Sequence, residues 1–138
     1  MGSLFSKIVS GDIPCHKVAE NDKFLAFLDT NPLREGHTLV IPKVEIDYIF
    51  DLEDALLGEM MVFSKSVAKK IKDTFPCNRI GVTVIGLEVP HTHIHLIPIN
   101  ILDDMNFSKE KMSPSDFGER ECQEALNDSD QARRLFRR

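Results

Sequence analysis

Pro90-His91-Thr92-His93-Ile94-His95-Leu96-Ile97-Pro98 decides the reading of this chain. The run is bounded by prolines, and its β-branched and apolar residues alternate with histidine, the pattern of a strand over about 90–99. Alternate residues of a strand share a face. His91, His93 and His95 are therefore expected on one side, and Thr92, Ile94 and Leu96 on the other, packed side. Neighbouring imidazoles would then stand roughly 6.6 Å apart, and the three would form a ridge of about 13 Å. Imidazole ionises near neutrality, so it can be a nucleophile, an acid or base, or a metal ligand. In one reading, His-x-His supplies two convergent nitrogens to a metal, with a third ligand from elsewhere. In the other, one imidazole attacks an electrophile such as phosphorus while its neighbours hold charge and orientation. The spacing alone does not choose.

The flanks give the histidine strand its neighbours. Residues 79–85 read as a fourth strand, and the short Gly86-Leu87-Glu88 link predicts antiparallel pairing with the fifth. Residues 51–75 predict the main helix, because Leu56, Met60, Phe63, Val67 and Ile71 recur at helical spacing. Asp51 is its expected N-cap, Lys65, Lys69, Lys70 and Lys72 suit its C-terminal dipole, and Pro76 and Asn78 end it. Upstream, residues 15–20 and 23–28 read as strands around Asn21-Asp22, and His37–Ile41 as a third strand after the loop from Asn31 to Gly36. Leu4, Phe5, Ile8 and Val9 predict a short helix over 4–10, broken by Gly11-Asp12.

A length of 138 residues fits one domain. Lys plus Arg number 17 against 22 Asp plus Glu, a net charge of −5. That balance opposes a nucleic-acid coat, yet leaves room for a small phosphate ligand bound by a local field. Cys15, Cys77 and Cys122 are odd in number and lack Cys-x-x-Cys spacing, which suits a reducing, cytoplasmic compartment. No apolar run reaches membrane-spanning length and no leader pattern opens the chain, so no membrane partner is expected. The start from Met1 to Ser6 matches the short myristoylation pattern, which often matches by chance. Residues 1–112 are read as the domain. Residues 113–138 are read as a polar, basic tail, with a helix start at Ser113-Pro114 and arginines 133, 134, 137 and 138 around Leu135 and Phe136.

His91-Thr92-His93-Ile94-His95-Leu96-Ile97 resembles the His-φ-His-φ-His-φ-φ signature of the histidine triad (HIT) family, with Thr92 at a position usually apolar. Phe5-Ser6-Lys7-Ile8 and Gly11-Asp12-Ile13-Pro14 resemble the N-terminal helix and turn of its Hint branch. Phe27-Leu28-Asp29-Thr30-Asn31-Pro32 and the run from Gly36 to Lys43 resemble its central segments, so the resemblance spans about residues 3–100. It implies an α+β fold: an antiparallel sheet of about five strands with one long and one short helix, continued across a homodimer. It implies attack on the α-phosphorus of a nucleoside phosphoramidate or mixed anhydride, with His93 as nucleophile and a nucleotidyl-imidazole intermediate. By the same resemblance, His95 and His37 would contact the phosphate, and His91 would orient its neighbours. Asp29 would accept the ribose hydroxyls, and Phe5, Ile8, Phe27 and Leu39 would surround a purine base, although these four also suit plain core. The ligand would be an adenosine or guanosine monophosphate conjugate, with no cofactor.

Two departures bear on this. Many members hold zinc on a Cys-x-x-Cys, a histidine and the first triad histidine; here those positions are Ser3, Ser6, Glu45 and His91, so no structural zinc is expected. Leu87 stands where the branch carries a glutamine that helps the leaving group, and Glu88 replaces a small polar residue near the phosphate. Three rivals are a diadenosine polyphosphate hydrolase, a cupin-like metal protein and a nucleotide-binding interaction protein. The cupin reading lacks a carboxylate between His95 and Asp103.

Overall fold

The computed structural model describes residues 2–109; the expected tail and the boundary at residue 112 lie outside them. Helix α1 (Leu4–Ser10) precedes strands β1 (Lys17–Glu20), β2 (Phe24–Leu28) and β3 (Thr38–Pro42). Helix α2 (Asp54–Thr74), β4 (Arg79–Thr83) and β5 (Ile94–Ile99) follow. Short 3-10 turns cover Ile49–Asp51 and Leu102–Met105. The strands form one antiparallel sheet in the order β1-β2-β3-β5-β4. The expected α+β architecture is the one observed.

Both faces of the sheet are covered, which is why β2 and β3 are buried without interruption. Phe24, Ala26, Leu28, Val40, Ile94 and Leu96 meet Met60, Val67, Ile71 and Phe75 from α2 and its C-cap. Burying each large side chain in this layer stabilises the fold by about 1.5–3 kcal/mol. On the other face Leu25, Phe27, Leu39 and Ile41 pack with Phe5 of α1, and Ile8, Val9 and Val89 rest against them. Period-two alternation thus sends Phe24 and Leu28 to the long helix, and Leu25 and Phe27 to the short one. Lys70 has a second use beyond the helix dipole: its ammonium donates to the Val18 carbonyl at 2.7 Å and ties α2 to β1.

Three boundaries differ from expectation. Asp51 closes a 3-10 turn, its amide donating to the Tyr48 carbonyl at 2.9 Å, so it does not cap α2. Leu52 is buried with extended backbone, which delays the helix to Asp54. The link between β4 and β5 is the whole stretch 84–93, although the strands do pair antiparallel. The third difference is functional: only His95 of the triad lies in β5. Thr92 leaves the ladder and donates its amide to the Ile46 carbonyl at 2.7 Å, with its hydroxyl on the same oxygen at 2.6 Å. That hydroxyl is why a polar residue is tolerated at a fully packed position.

Gly36 joins the core to the site. Its φ of +86° is left-handed, and an added Cβ would stand 2.6 Å from the ring of Phe75, itself 2% exposed. Gly36→Ala is expected to destabilise the protein by about 2–4 kcal/mol in denaturant melts, through strain and overpacking together. Gly58→Ala, within α2 and with open space around the new methyl, is expected to stabilise by about 0.4–1 kcal/mol.

Candidate active site

A cross-strand row sets the floor of the site. Phe27 pairs with Leu39, Leu39 with His95, and His95 with Thr83, so these side chains share one face. At the end of the row the β2–β3 connection closes with the Asp29 amide on the His37 carbonyl at 2.9 Å. Helix α1 lies above, with Phe5 edge-on to Phe27 at 5.5 Å and to His93 at 5.0 Å. Between them opens a cavity of about 590 Å³. Phe5, Ile8, Phe27, Asp29, Leu39, His93 and His95 all line it, so seven of the nine expected site residues meet there. Ile85, Leu87, Glu88 and Val89 of the long link form another wall, Leu87 standing 88% exposed on it.

The other two expected residues, His37 and His91, stand one step back. His91 is completely buried, and its ring does not continue an even ridge of three. Phe5 contacts both it and His93, at 5.9 and 5.0 Å, while the His93 and His95 rings lie 5.0 Å apart. His37, expected at the phosphate, is buried behind His95. His91 drops out of the ridge because β5 starts only at Ile94: residues 91–93 bend away from the ladder that would have aligned the rings.

Hydrogen bonds assign the protons. The Leu33 amide donates to His37 Nδ1 at 3.0 Å, so a neutral His37 carries its proton on Nε2. That Nε2 lies 2.9 Å from His95 Nδ1 and 3.5 Å from an Asp29 oxygen. His37 therefore donates to His95, whose own proton is left on Nε2. His93 Nδ1 lies 2.7 Å from the His91 carbonyl, which can only accept; the proton is on Nδ1 and the lone pair on Nε2. Adjacent rings are thus set oppositely, His93 with a free base nitrogen and His95 with a donor. One atom each from Asp29, His37 and His95 lie within 4.8 Å, a spacing a cation could bridge. In the geometry above the two imidazoles share a proton.

Ser3, Ser6, Glu45 and His91 do come together. His91 Nε2 donates to the Pro42 carbonyl at 2.8 Å, so Nδ1 accepts, and the Ser3 hydroxyl donates to it at 2.9 Å. Ser3 also caps α1, its oxygen accepting the Ser6 amide at 3.1 Å. Glu45 accepts the Ser3 amide and, at 2.7 Å, the Ser6 hydroxyl. Neutral hydroxyls in place of thiolates make a poor zinc donor set, and these four side chains satisfy one another. They do not fit a structural zinc; they form a metal-free clasp between α1, the segment after β3 and the triad. Burial holds the His91 imidazole below its ordinary pKa, which keeps it neutral.

Sequence reasoning missed Phe107. Its ring lines the cavity and stands 4.9 Å from that of His95 and 6.1 Å from that of His37. A lone aromatic beyond the recognisable motifs carries no periodic signal that could have singled it out.

The sequence and fold match known proteins. The HIT domain family matches residues 10–100. Adenosine 5'-monophosphoramidase HNT1 of Saccharomyces cerevisiae is 38% identical over 96 residues, 69% of this chain and 61% of that protein. Adenylylsulfatase HINT3 of Arabidopsis thaliana is 35% identical over 100 residues, 69% of this chain and 51% of that protein. The crystal structure of a HIT family member from Bacillus subtilis covers 98% of each chain with a TM-score of 0.72 at 32% identity. This chain belongs to the HIT family.

The clasp predicts a pH response. The Ser3 amide and then the Ser6 hydroxyl hold Glu45 at about 2, below its ordinary 4.5. A depressed carboxylate contributes its stabilisation in full above its unfolded pKa and loses it as pH falls through the folded one. Hydrogen-exchange protection of the α1 amides should therefore persist above pH 4.5 and decline between pH 4.5 and 2. Glu45→Gln should lower that protection at neutral pH and flatten the decline.

Proposed function

We propose that this protein hydrolyses purine nucleoside monophosphate conjugates, phosphoramidates or mixed anhydrides, through a nucleotidyl-His93 intermediate. The observation that carries the reading is the 2.7 Å contact from His93 Nδ1 to the His91 carbonyl, which leaves a lone pair on Nε2 of a cavity-lining ring. In the proposed reaction Nε2 attacks the α-phosphorus and a phosphorus–nitrogen bond forms. The bond from phosphorus to the leaving amine or acid breaks, an amine leaving with a proton taken from the solvent. Water then attacks the same phosphorus and releases its proton to the solvent, the phosphorus–nitrogen bond to His93 breaks, the nucleoside monophosphate departs, and the imidazole is regenerated. Phosphoryl transfer asks mainly for positioning and for positive or donor groups around the oxygens. His95 Nε2–H supplies such a donor, and His37 acts on the phosphate through His95.

Asp29 is proposed to accept the ribose hydroxyls. One of its oxygens already takes the Asn31 amide at 2.9 Å, which orients the carboxylate. Phe5, Ile8, Phe27 and Leu39 supply the apolar surface for the base. The names of two relatives, a monophosphoramidase and an adenylylsulfatase, support an adenosine monophosphate group with a variable leaving group. The Leu87 side chain offers no hydrogen bond to that leaving group, and Glu88 beside it brings a carboxylate to the same wall. The proposed assembly is a homodimer through the sheet edge at β4, where Val82 is half exposed. A cytoplasmic setting is proposed from the odd number of cysteines and the lack of Cys-x-x-Cys spacing; no helix among the described residues is long and apolar enough to cross a membrane.

Turnover of an adenosine phosphoramidate and a diadenosine polyphosphate by one preparation tests the reading. The phosphoramidate is expected to be the better substrate, and His93→Ala is expected to lower kcat by about 10³-fold or more. Preference for the polyphosphate would move the assignment to that hydrolysis. Full turnover by His93→Ala would remove the nucleophile.

A further inference from the structure

Phe107 and Asp104 lie beyond the stretch matched by the family, which ends at residue 100. Asp104, in the 3-10 turn after β5, is buried. One of its oxygens accepts the amides of Asn100 and Ile101 at 2.7 and 3.1 Å, and the other accepts Arg34 Nη1 at 2.6 Å. Burial alone would raise this carboxyl, but the two amides and the guanidinium outweigh it and hold it below its ordinary value, so it is ionised. Arg34 is also the residue whose carbonyl accepts the His37 amide at 3.1 Å. One side chain therefore clips the turn after β5 onto the loop that carries His37. Phe107 follows two residues beyond that turn, with its ring edge-on to both members of the His37–His95 pair.

We propose that Phe107 is a positioning residue for His95: clipped down through Asp104 and Arg34, its ring walls the His37–His95 hydrogen bond off from water in the cavity. The physical need is specific. The His37 Nε2–H must prefer His95 Nδ1 to a water molecule, or His95 can take its other tautomer and present a lone pair where the phosphate needs a donor. An aromatic edge excludes water without offering a competing acceptor in the plane of the bond. The inference rests on the reading of His95 as the phosphate-facing donor.

The test uses the full chain with Phe107→Ala and Phe107→Leu. Two-dimensional ¹H–¹⁵N spectra of the imidazoles, recorded without ligand, report which His95 nitrogen carries the proton. Steady-state kinetics on an adenosine phosphoramidate report kcat and KM. The wild type is expected to show a single His95 tautomer with the proton on Nε2. Phe107→Ala is expected to show mixed tautomers and a kcat about tenfold lower, with KM changed by less than about threefold. Phe107→Leu, still apolar, is expected to restore the single tautomer and most of kcat. An unchanged His95 signal in Phe107→Ala overturns the proposal, as does a kcat that stays at the wild-type value. A loss confined to KM also overturns it, by making Phe107 a plain binding surface. A wild type without turnover would instead sink the proposed hydrolysis, and the spectra would still decide whether Phe107 sets the tautomer.

Discussion

His93 donates its Nδ1 proton to the carbonyl of His91, two residues back along its own chain. That bond forms where the chain stands outside the sheet: residues 91–93 give up ladder pairing and are held by Ile46 and Pro42 instead. A net gain of about 0.5–1.5 kcal/mol for such a bond is enough to set a tautomer. It puts the basic lone pair of His93 beside the donor nitrogen of His95, and the proposed roles of these two histidines at phosphorus follow from that opposition.

The rest of the molecule holds this arrangement from several sides. Beneath the sheet, α2 and its apolar stripe make a rigid support. Above it, α1 is too short to be stable alone. It stays in place through Phe5 in the second core and through the clasp of Ser3, Ser6 and Glu45 on His91. That clasp turns a cluster of four polar side chains into a tether, with each donor given an acceptor. From the third side, Gly36 lets the β2–β3 loop turn tightly against Phe75, so that His37 can back His95.

Much of this was legible in the sequence, for physical reasons. The strands β2 and β3 and the stripe of α2 are periodic, and burial on a sheet face or a helix face leaves that trace. Nine residues could be named for the site because three histidines at period two, with family motifs around them, are a distinct signal, and seven of the nine line one cavity. Their relative depth was not legible. Period two assumes a strand, and nothing local in Pro90-His91-Thr92-His93 announces that the ladder has not yet begun. Asp51 was misassigned for a related reason: a good capping residue was outcompeted by the burial of Leu52. Ser3, Ser6 and Glu45 were visible as missing metal ligands, but the bonds that join the two serines to Glu45 span 42 and 39 residues of sequence. Phe107 is a single side chain fixed by an ion pair between residues 34 and 104, and such long-range contacts leave no pattern in a linear reading.

The central claim is that His93 Nε2 is the nucleophile. Intact-mass and peptide-mapping spectrometry, after rapid mixing with an adenosine phosphoramidate and a denaturing quench at alkaline pH, tests it most directly. The account predicts one added adenosine monophosphoryl group, carried on His93 and absent from His93→Ala. Turnover with no adduct at any time, or an adduct on His95 or elsewhere, would contradict it.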